Sequence, residues 1–266
     1  MPMGFSSHIT QPDQLYDEFI QKRQFNEQDV KNLGLELLSK EVTRQLLGHT
    51  NELSVKIPYF DVDGQDTGFV RVRLLVPKTK MKYSQARASG SHIYFPPTVP
   101  WRSILTNVDI PIIITEGEFK SWSITKAIAI DGLAHACIGL AGVTSWTSKN
   151  GVQLHPDLMQ FMWSKKTSFD VKHRKVHIVF DYDGAKDEGE PNEQVALAET
   201  KLAITLRGLG AEVHLCRVGR FGAGKGKKFA IDDHLIAGGS LGAVLASTSV
   251  IMNGVDTLDV KLHEFS

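Results

Sequence analysis

The chain has 266 residues, 42% hydrophobic and 23% charged, with 30 Lys+Arg against 30 Asp+Glu. That is an ordinary globular composition, long enough for a large domain and a smaller one, and its zero net charge means that a nucleic-acid partner must be held by local patches rather than by bulk attraction. Only Cys137 and Cys216 occur, both in apolar runs, which excludes a four-cysteine zinc site and a disulfide framework. No apolar run reaches the length of a membrane span and no basic-then-apolar leader opens the chain, so a soluble cytoplasmic protein without a membrane partner is expected.

Residues 1–52 carry helical signals and no visible chemistry: Pro12-Asp13 opens an apolar spacing through Phe19-Ile20, and capped short helices follow near Asn26 and Ser39. From 53 the pattern alternates. Val55 to Val62 and Gly68 to Val76 read as two strands joined at Asp63-Gly64, a β-hairpin with Arg71 and Arg73 on one face about 7 Å apart, a spacing suited to successive phosphates. An exposed polar face of a half-buried hairpin accounts for those arginines equally well. Next come Lys78, Lys80, Lys82 and Arg87 around Tyr83 without an acid among them, as single-stranded nucleic acid or a nucleotide would require. Residues 53–107 thus form a small α+β basic subdomain, ending in the loops around Pro96-Pro97.

From 108 to 249 strands alternate with helices. Strands are expected near 110–115, 134–139, 175–181 and 211–217, and helices near 118–131, 154–164, 192–208 and 231–247. This is an α/β fold, a parallel four-stranded sheet flanked by helices with right-handed crossovers. The stripe Val195, Leu197, Ala198, Leu202, Ile204, Leu206 fits a helix packed on that sheet. Residues 250–266 form a tail too short for a further domain.

Chemistry is expected where the strands stop, because sites in open α/β sheets lie at the carboxyl ends of strands. The β-branched run Ile110 to Ile114 ends in Glu116-Gly117, and Val176 to Phe180 ends in Asp181-Tyr182-Asp183-Gly184. A third acidic point, Asp232-Asp233, precedes an apolar helix. Hard oxygen ligands arriving from separate loops suit Mg²⁺, which keeps several waters and completes its shell with phosphates.

Glu116-Gly117 followed, after a βα unit, by Asp181-Tyr182-Asp183-Gly184 resembles the Toprim domain shared by bacterial-type primases, topoisomerases and some nucleases. The resemblance implies that Glu116, Asp181 and Asp183 are catalytic and that they hold Mg²⁺ or Mn²⁺ together with Asp232 and Asp233, a pair similar to the later acidic element of primases. In primases the glutamate motif commonly continues to an aspartate further into the helix, where this chain has Lys120. The upstream run from Ile57 through Arg71, Arg73, Lys82 and Tyr83 is similar to the basic subdomain that precedes Toprim in bacterial replicative primases, with Gln85 where an asparagine is usual. The joint layout is typical of primase-like proteins of phages, plasmids and integrative elements. It implies a nucleotidyltransferase acting on a single-stranded DNA template with nucleoside triphosphates, held by Arg71, Arg73, Lys82, Tyr83 and Gln85, with Lys120 beside them. Separately, the acid-free basic run with Arg220, Lys225 and Lys227 near the acidic cluster is placed to meet phosphates, and a solvated surface loop accounts for it equally well. With two cysteines there is no zinc ribbon, so a helicase or other replication protein is the expected recruiting partner. A Toprim nuclease using the same acids, and a nucleic-acid-binding accessory protein without turnover, are the alternatives.

Three features mimic other chemistry. Gly219 to Lys225 has the spacing of a P-loop but is followed by Gly226 instead of the Ser or Thr that would hold Mg²⁺. His173 and His177 stand at i, i+4 but lead into a strand, where that spacing separates side chains by about 13 Å, so a structural role is expected. Glu118 at a helix start reads first as a favourable first-turn charge.

Overall fold

The computed structural model describes residues 10–148, 153–162, 165–166, 171–183, 193–221 and 228–250. The chain divides into two compact units, Met1–Arg102 and Ser103–Ser266.

The first unit opens with α1 (Gln11–Gln21), α2 (Glu27–Leu33), strand β1 (Glu36–Leu38) and α3 (Lys40–Leu47). Their ends are set by local chemistry. Thr10, Asn26 and Ser39 each accept a backbone N–H at a helix start, and Gly34 and Gly48 close α2 and α3 at left-handed φ of 62° and 76°. Strands β2 (Ser54–Phe60), β3 (Asp66–Leu74) and β4 (Tyr83–Gln85) complete an antiparallel sheet in the order β1-β2-β3-β4. The expected hairpin is β2–β3. Its turn is shaped by Asp61, whose Oδ1 accepts the N–H groups of Asp63 at 2.8 Å and Gln65 at 2.9 Å. The expected boundary at 52 is crossed by this sheet, since Glu36 pairs with Lys56. Two leucines after a glutamate, in a helical stretch, are too few to announce β1. A two-residue strand, β5 (Ile93–Tyr94), follows, and α4 (Trp101–Thr106) runs through the boundary between the units.

In the second unit the chain runs β6 (Ile112–Glu116), α5 (Glu118–Ile130), β7 (Ala136–Leu140), α6 (Pro156–Met159), β8 (Lys165–Lys166), β9 (Val171–Lys172), β10 (Lys175–Val179), β11 (Tyr182–Asp183), α7 (Glu193–Gly208), β12 (Glu212–Cys216), β13 (Lys228–Phe229), α8 (Ile231–Ile236), α9 (Leu241–Ala246) and β14 (Thr248–Val250). The main strands lie in the order β14-β12-β10-β6-β7. β12, β10, β6 and β7 pair parallel, as expected from their apolar runs, but β14 adds an antiparallel edge, so the sheet is mixed and not the purely parallel four-stranded one.

Ile112, Ile113 and Ile114 have no exposed surface, which confirms β6 as a central strand covered on both faces. One core gathers Ile113, Cys137, Val179 and Cys216 from the sheet with Ile124 and Ile128 of α5 and Val244 of α9. Both cysteines are free and buried. Three expectations need correction. Among the described residues, the helix near 154–164 is only the single turn α6. The helix over 231–247 breaks at Gly238-Gly239, where Gly238 takes φ 84° and the imidazole of His234 fills the space a Gly239 side chain would need. On α7, Leu197 and Ile204 face outward, while Val195, Ala198, Leu202 and Leu206 are buried.

Candidate active site

The carboxyl ends of β6 and β10 are neighbours by register. Thr115 pairs with Val179, and the Thr115 hydroxyl donates to the Val179 carbonyl at 2.8 Å. Glu116 and Asp181 therefore leave adjacent parallel strands at one edge. Gly117, at φ 95°, turns the chain directly into α5, and its N–H donates to Leu140 at 2.6 Å, tying the turn to β7. That turn leaves no room on β7. A Cβ on Gly139 would lie 2.9 Å from Ser121 Oγ and 3.0 Å from the Gly117 carbonyl oxygen. Gly139, within β7, is thus required for packing, and Trp146, beyond the end of that strand, is buried.

Lys120 projects from the first turn of α5 and its ammonium donates to Asp181 Oδ2. The surroundings are dry: the Lys120 and Asp181 side chains are 19% and 10% exposed. Burial works against the Lys120 charge, yet the carboxylates of Asp181, Glu116 and Asp232 outweigh it and hold the ammonium above its ordinary pKa. Burial pushes the Asp181 carboxyl up to about 6. Lys120 pulls it down, and the negative charges of Glu116 and Asp232 push it further up. These four side chains form one electrostatic cluster. Asp232 is delivered by α8, which packs against α5.

The cluster is under-satisfied. Asp181 Oδ1 and Asp232 Oδ1 are both buried without a hydrogen-bond partner, an arrangement that costs free energy unless something else supplies positive charge. Carboxylate oxygens in this state fit a hard divalent cation. Among the described residues no three Asp, Glu, His or Cys side chains already stand close enough to hold one. The positive charge at Asp181 is supplied by Lys120.

The other expected site residues fall in several places. Asp233 is exposed and turns back to cap α8, its Oδ2 accepting the Ala230 N–H at 3.1 Å. Asp183 lies on β11, opposite Lys228 of β13, and its side chain lies outside the described residues, as does that of Arg220. Lys225 and Lys227 lie wholly outside them, and so does the heart of the P-loop mimic. Lys120, expected at nucleic acid, sits on Asp181. Glu118 stands in the first turn of α5, as expected, and is buried there with 1% exposure.

In the first unit, Arg71 pairs with Gln85 and Arg73 with Tyr83 across β3 and β4. Both guanidinium groups lie 5.0 Å from the centre of the Tyr83 ring, which fixes two cations beside one aromatic face. Lys82 is exposed beside them. Gln85 is committed elsewhere: its Nε2 donates to Ser89 Oγ at 3.0 Å and to the Gly90 carbonyl at 2.7 Å.

Sequence reasoning missed Arg174 altogether, and for His177 it gave a structural role without its ring partners. Arg174, 1% exposed, donates to the carbonyls of Phe161, Ile110, Ile104 and Leu105 at 2.8–3.3 Å. His177 stacks on His214 with ring centres 5.0 Å apart, and His135 lies 5.5 Å away.

Residues 100–241, more than half of the chain, match the model of a family described as a domain of unknown function, DUF3854. The chain belongs to this family. No curated protein matches it. Among solved structures, it is similar to the Aquifex aeolicus primase (zinc-binding and RNA polymerase domains) at 15% identity and a TM-score of 0.57, over 96% of this chain and 62% of that one. The RNA polymerase domain of Mycobacterium tuberculosis primase DnaG matches at 13% identity and a TM-score of 0.57, over 95% and 84%. The same domain in complex with a double-stranded DNA oligomer carrying a 6-nucleotide overhang matches at 12% identity and 0.54, over 96% and 84%. The chain spans somewhat less than two thirds of the Aquifex structure, and its fold is that of bacterial primase catalytic cores. Among the described residues no helix is long and apolar enough to cross a membrane.

Proposed function

We propose that this chain is a Mg²⁺-dependent (or Mn²⁺-dependent) primase-type nucleotidyltransferase core that extends nucleotides on single-stranded DNA. The observation that carries the reading is the set of carboxylates at the carboxyl edge of the sheet, with two buried oxygens, Asp181 Oδ1 and Asp232 Oδ1, that lack a partner. Asp181, Asp183 and Asp232 hold the metal. Bound there, the metal supplies neutralisation of triphosphate charge and activation of the 3′ hydroxyl. Glu116 joins the metal site or takes the proton of the attacking hydroxyl, a role open to a carboxylate within hydrogen-bond reach. Asp233 is left to its cap.

Arg71, Arg73 and Lys82, ordered around Tyr83, contact the phosphates of template or nucleotide, and Tyr83 offers a stacking face. A DNA partner is supported by the structural neighbour whose complex contains a DNA oligomer with an overhang. Arg220, Lys225 and Lys227 extend the positive surface. The sequence resemblance adds a setting, replication of a phage, plasmid or other mobile element in the cytoplasm, with recruitment by a helicase or another replication protein.

The test is incubation with single-stranded DNA, Mg²⁺ or Mn²⁺ and labelled nucleoside triphosphates, wild type beside Asp181→Ala, resolved on a denaturing gel. Short new oligomers that vanish in the variant are the expected result. Template cut by wild type and spared by the variant would identify a nuclease using the same acids, and bound but unaltered DNA would identify an accessory binding protein.

A further inference from the structure

Resting on that metal site, we propose that Lys120 is its built-in cation: the ammonium holds Asp181 until a divalent ion displaces it, and this exchange sets how tightly the site takes metal.

The placement of Lys120 argues for such a role. It stands in the first turn of α5, where a helix presents unsatisfied N–H groups and disfavours positive charge. Gly117 precedes that turn and offers no side chain to cap it. A lysine there is opposed by the helix and by its own burial, and the nearby carboxylates hold it in place. It contacts Asp181 through Oδ2, and it also feels the charges of Glu116 and Asp232. One ammonium against three carboxylates leaves an excess of negative charge, and the two unpartnered oxygens on Asp181 and Asp232 mark where that excess is buried. A single-charged donor fixed to one oxygen of one aspartate cannot satisfy the other. A divalent ion can, but both cations need Asp181, so the metal must compete with Lys120 for it.

The experiment is Mn²⁺ titration of the full chain, with free Mn²⁺ followed by electron paramagnetic resonance, in wild type, Lys120→Met, Lys120→Arg and Asp181→Asn. Lys120→Met is expected to bind Mn²⁺ at least tenfold more tightly than wild type. Lys120→Arg, which keeps the charge, should bind as weakly as wild type, and Asp181→Asn should lose the site. Equal or weaker binding by Lys120→Met overturns the exchange while leaving the metal site standing. Absence of binding above the Asp181→Asn background in both wild type and Lys120→Met overturns the exchange and the metal site together. Thermal unfolding with and without Mn²⁺ guards against a folding defect. Removing the lysine should lower the melting temperature without metal and enlarge its rise with Mn²⁺, and Lys120→Gln serves if the methionine variant does not fold. A folded Lys120→Met or Lys120→Gln variant whose melting temperature no longer responds to Mn²⁺ counts against the proposal.

Discussion

Strand β10 begins beside one buried charge and ends at another, and the two are satisfied in opposite ways. At its amino end Arg174 spends its donors on four backbone carbonyls, drawn from α4, the approach to β6 and the turn after α6. Burial brings the Arg174 pKa down to about 10, with Asp109 opposing, so the guanidinium remains charged at neutral pH. At the carboxyl end Asp181 is paired through one oxygen and orphaned at the other. The first end is closed chemistry that staples segments together. The second is open chemistry, a buried charge still short of a partner, and open charge in a fold is where a ligand is expected.

The contrast can be broken most forcefully at Arg174. Arg174→Met keeps the apolar stem and removes every donor, leaving several buried carbonyls unsatisfied at about 1–3 kcal/mol each before relaxation. We expect a loss of about 3 kcal/mol or more in urea unfolding, with Mn²⁺ affinity per folded molecule unchanged. A variant as stable as wild type would show that these carbonyls find water instead, and the closed end would lose its structural meaning.

The middle of β10 carries a second buried group, His177, and its ionisation ties stability to pH. Burial, with the charges of His214, His135 and Lys175 and against that of Glu212, lowers its pKa from the ordinary 6.5 to about 3. Cys216 Sγ lies 3.7 Å from its Nδ1 and does not offset the burial. Below pH 6.5 the unfolded chain takes up a proton that the folded chain refuses. The contribution is therefore intact above 6.5, declines as the pH falls, and is exhausted near 3. Between pH 7 and 5 this amounts to about 2 kcal/mol. His177→Phe should flatten that part of the urea-midpoint profile. An unchanged slope would mean that the ring is protonated within the fold.

What the sequence disclosed follows the same division. The apolar β-branched runs ending in Glu116 and Asp181 were legible because strand burial and strand ends are local patterns. So was the β2–β3 hairpin, with its Asp63-Gly64 turn. The partners of Arg174 and Lys120 were not legible. Arg174 reaches carbonyls of Ile104 and Leu105, and Lys120 reaches Asp181, across intervals of more than sixty positions, and no periodicity encodes which long side chain meets which group. Lys120 was visible only as a basic residue where an aspartate was anticipated, and its positive charge suggested nucleic acid. The antiparallel β14 was hidden by its three-residue length. The split between α8 and α9 was announced by Gly238-Gly239 but overridden by the apolar pattern on both sides.

Gly139 sharpens the comparison from the open end, because it acts on the acids without carrying charge. Gly139→Ala places a methyl group 2.9 Å from Ser121 Oγ and 3.0 Å from the Gly117 carbonyl oxygen. The backbone that turns Glu116 into α5 must give way. Overpacking of this kind costs about 1–2 kcal/mol. It should also weaken Mn²⁺ binding, which the Arg174 variant does not. Loss of stability with intact metal affinity would show that the turn at Gly117 tolerates displacement and does not set the position of Glu116.

The smallest expected effect decides between two adjacent carboxylates. Asp233 is exposed and accepts the Ala230 N–H, a cap worth about 0.5–1 kcal/mol at a helix start. Asp232 lies one residue earlier and faces the cluster, with Oδ1 buried and unpartnered. Asp233→Ala should therefore lower stability slightly and leave Mn²⁺ affinity and nucleotide synthesis at wild-type levels. Asp232→Ala should relieve repulsion at Asp181, leave stability level or raised, and weaken Mn²⁺ binding by tenfold or more. The opposite pairing, metal lost with Asp233 and kept with Asp232, would mean that α8 presents its other face to the site when metal is bound. Stability and affinity moving in opposite directions at Asp232 would mark it as a residue held for its ligand at the expense of the fold.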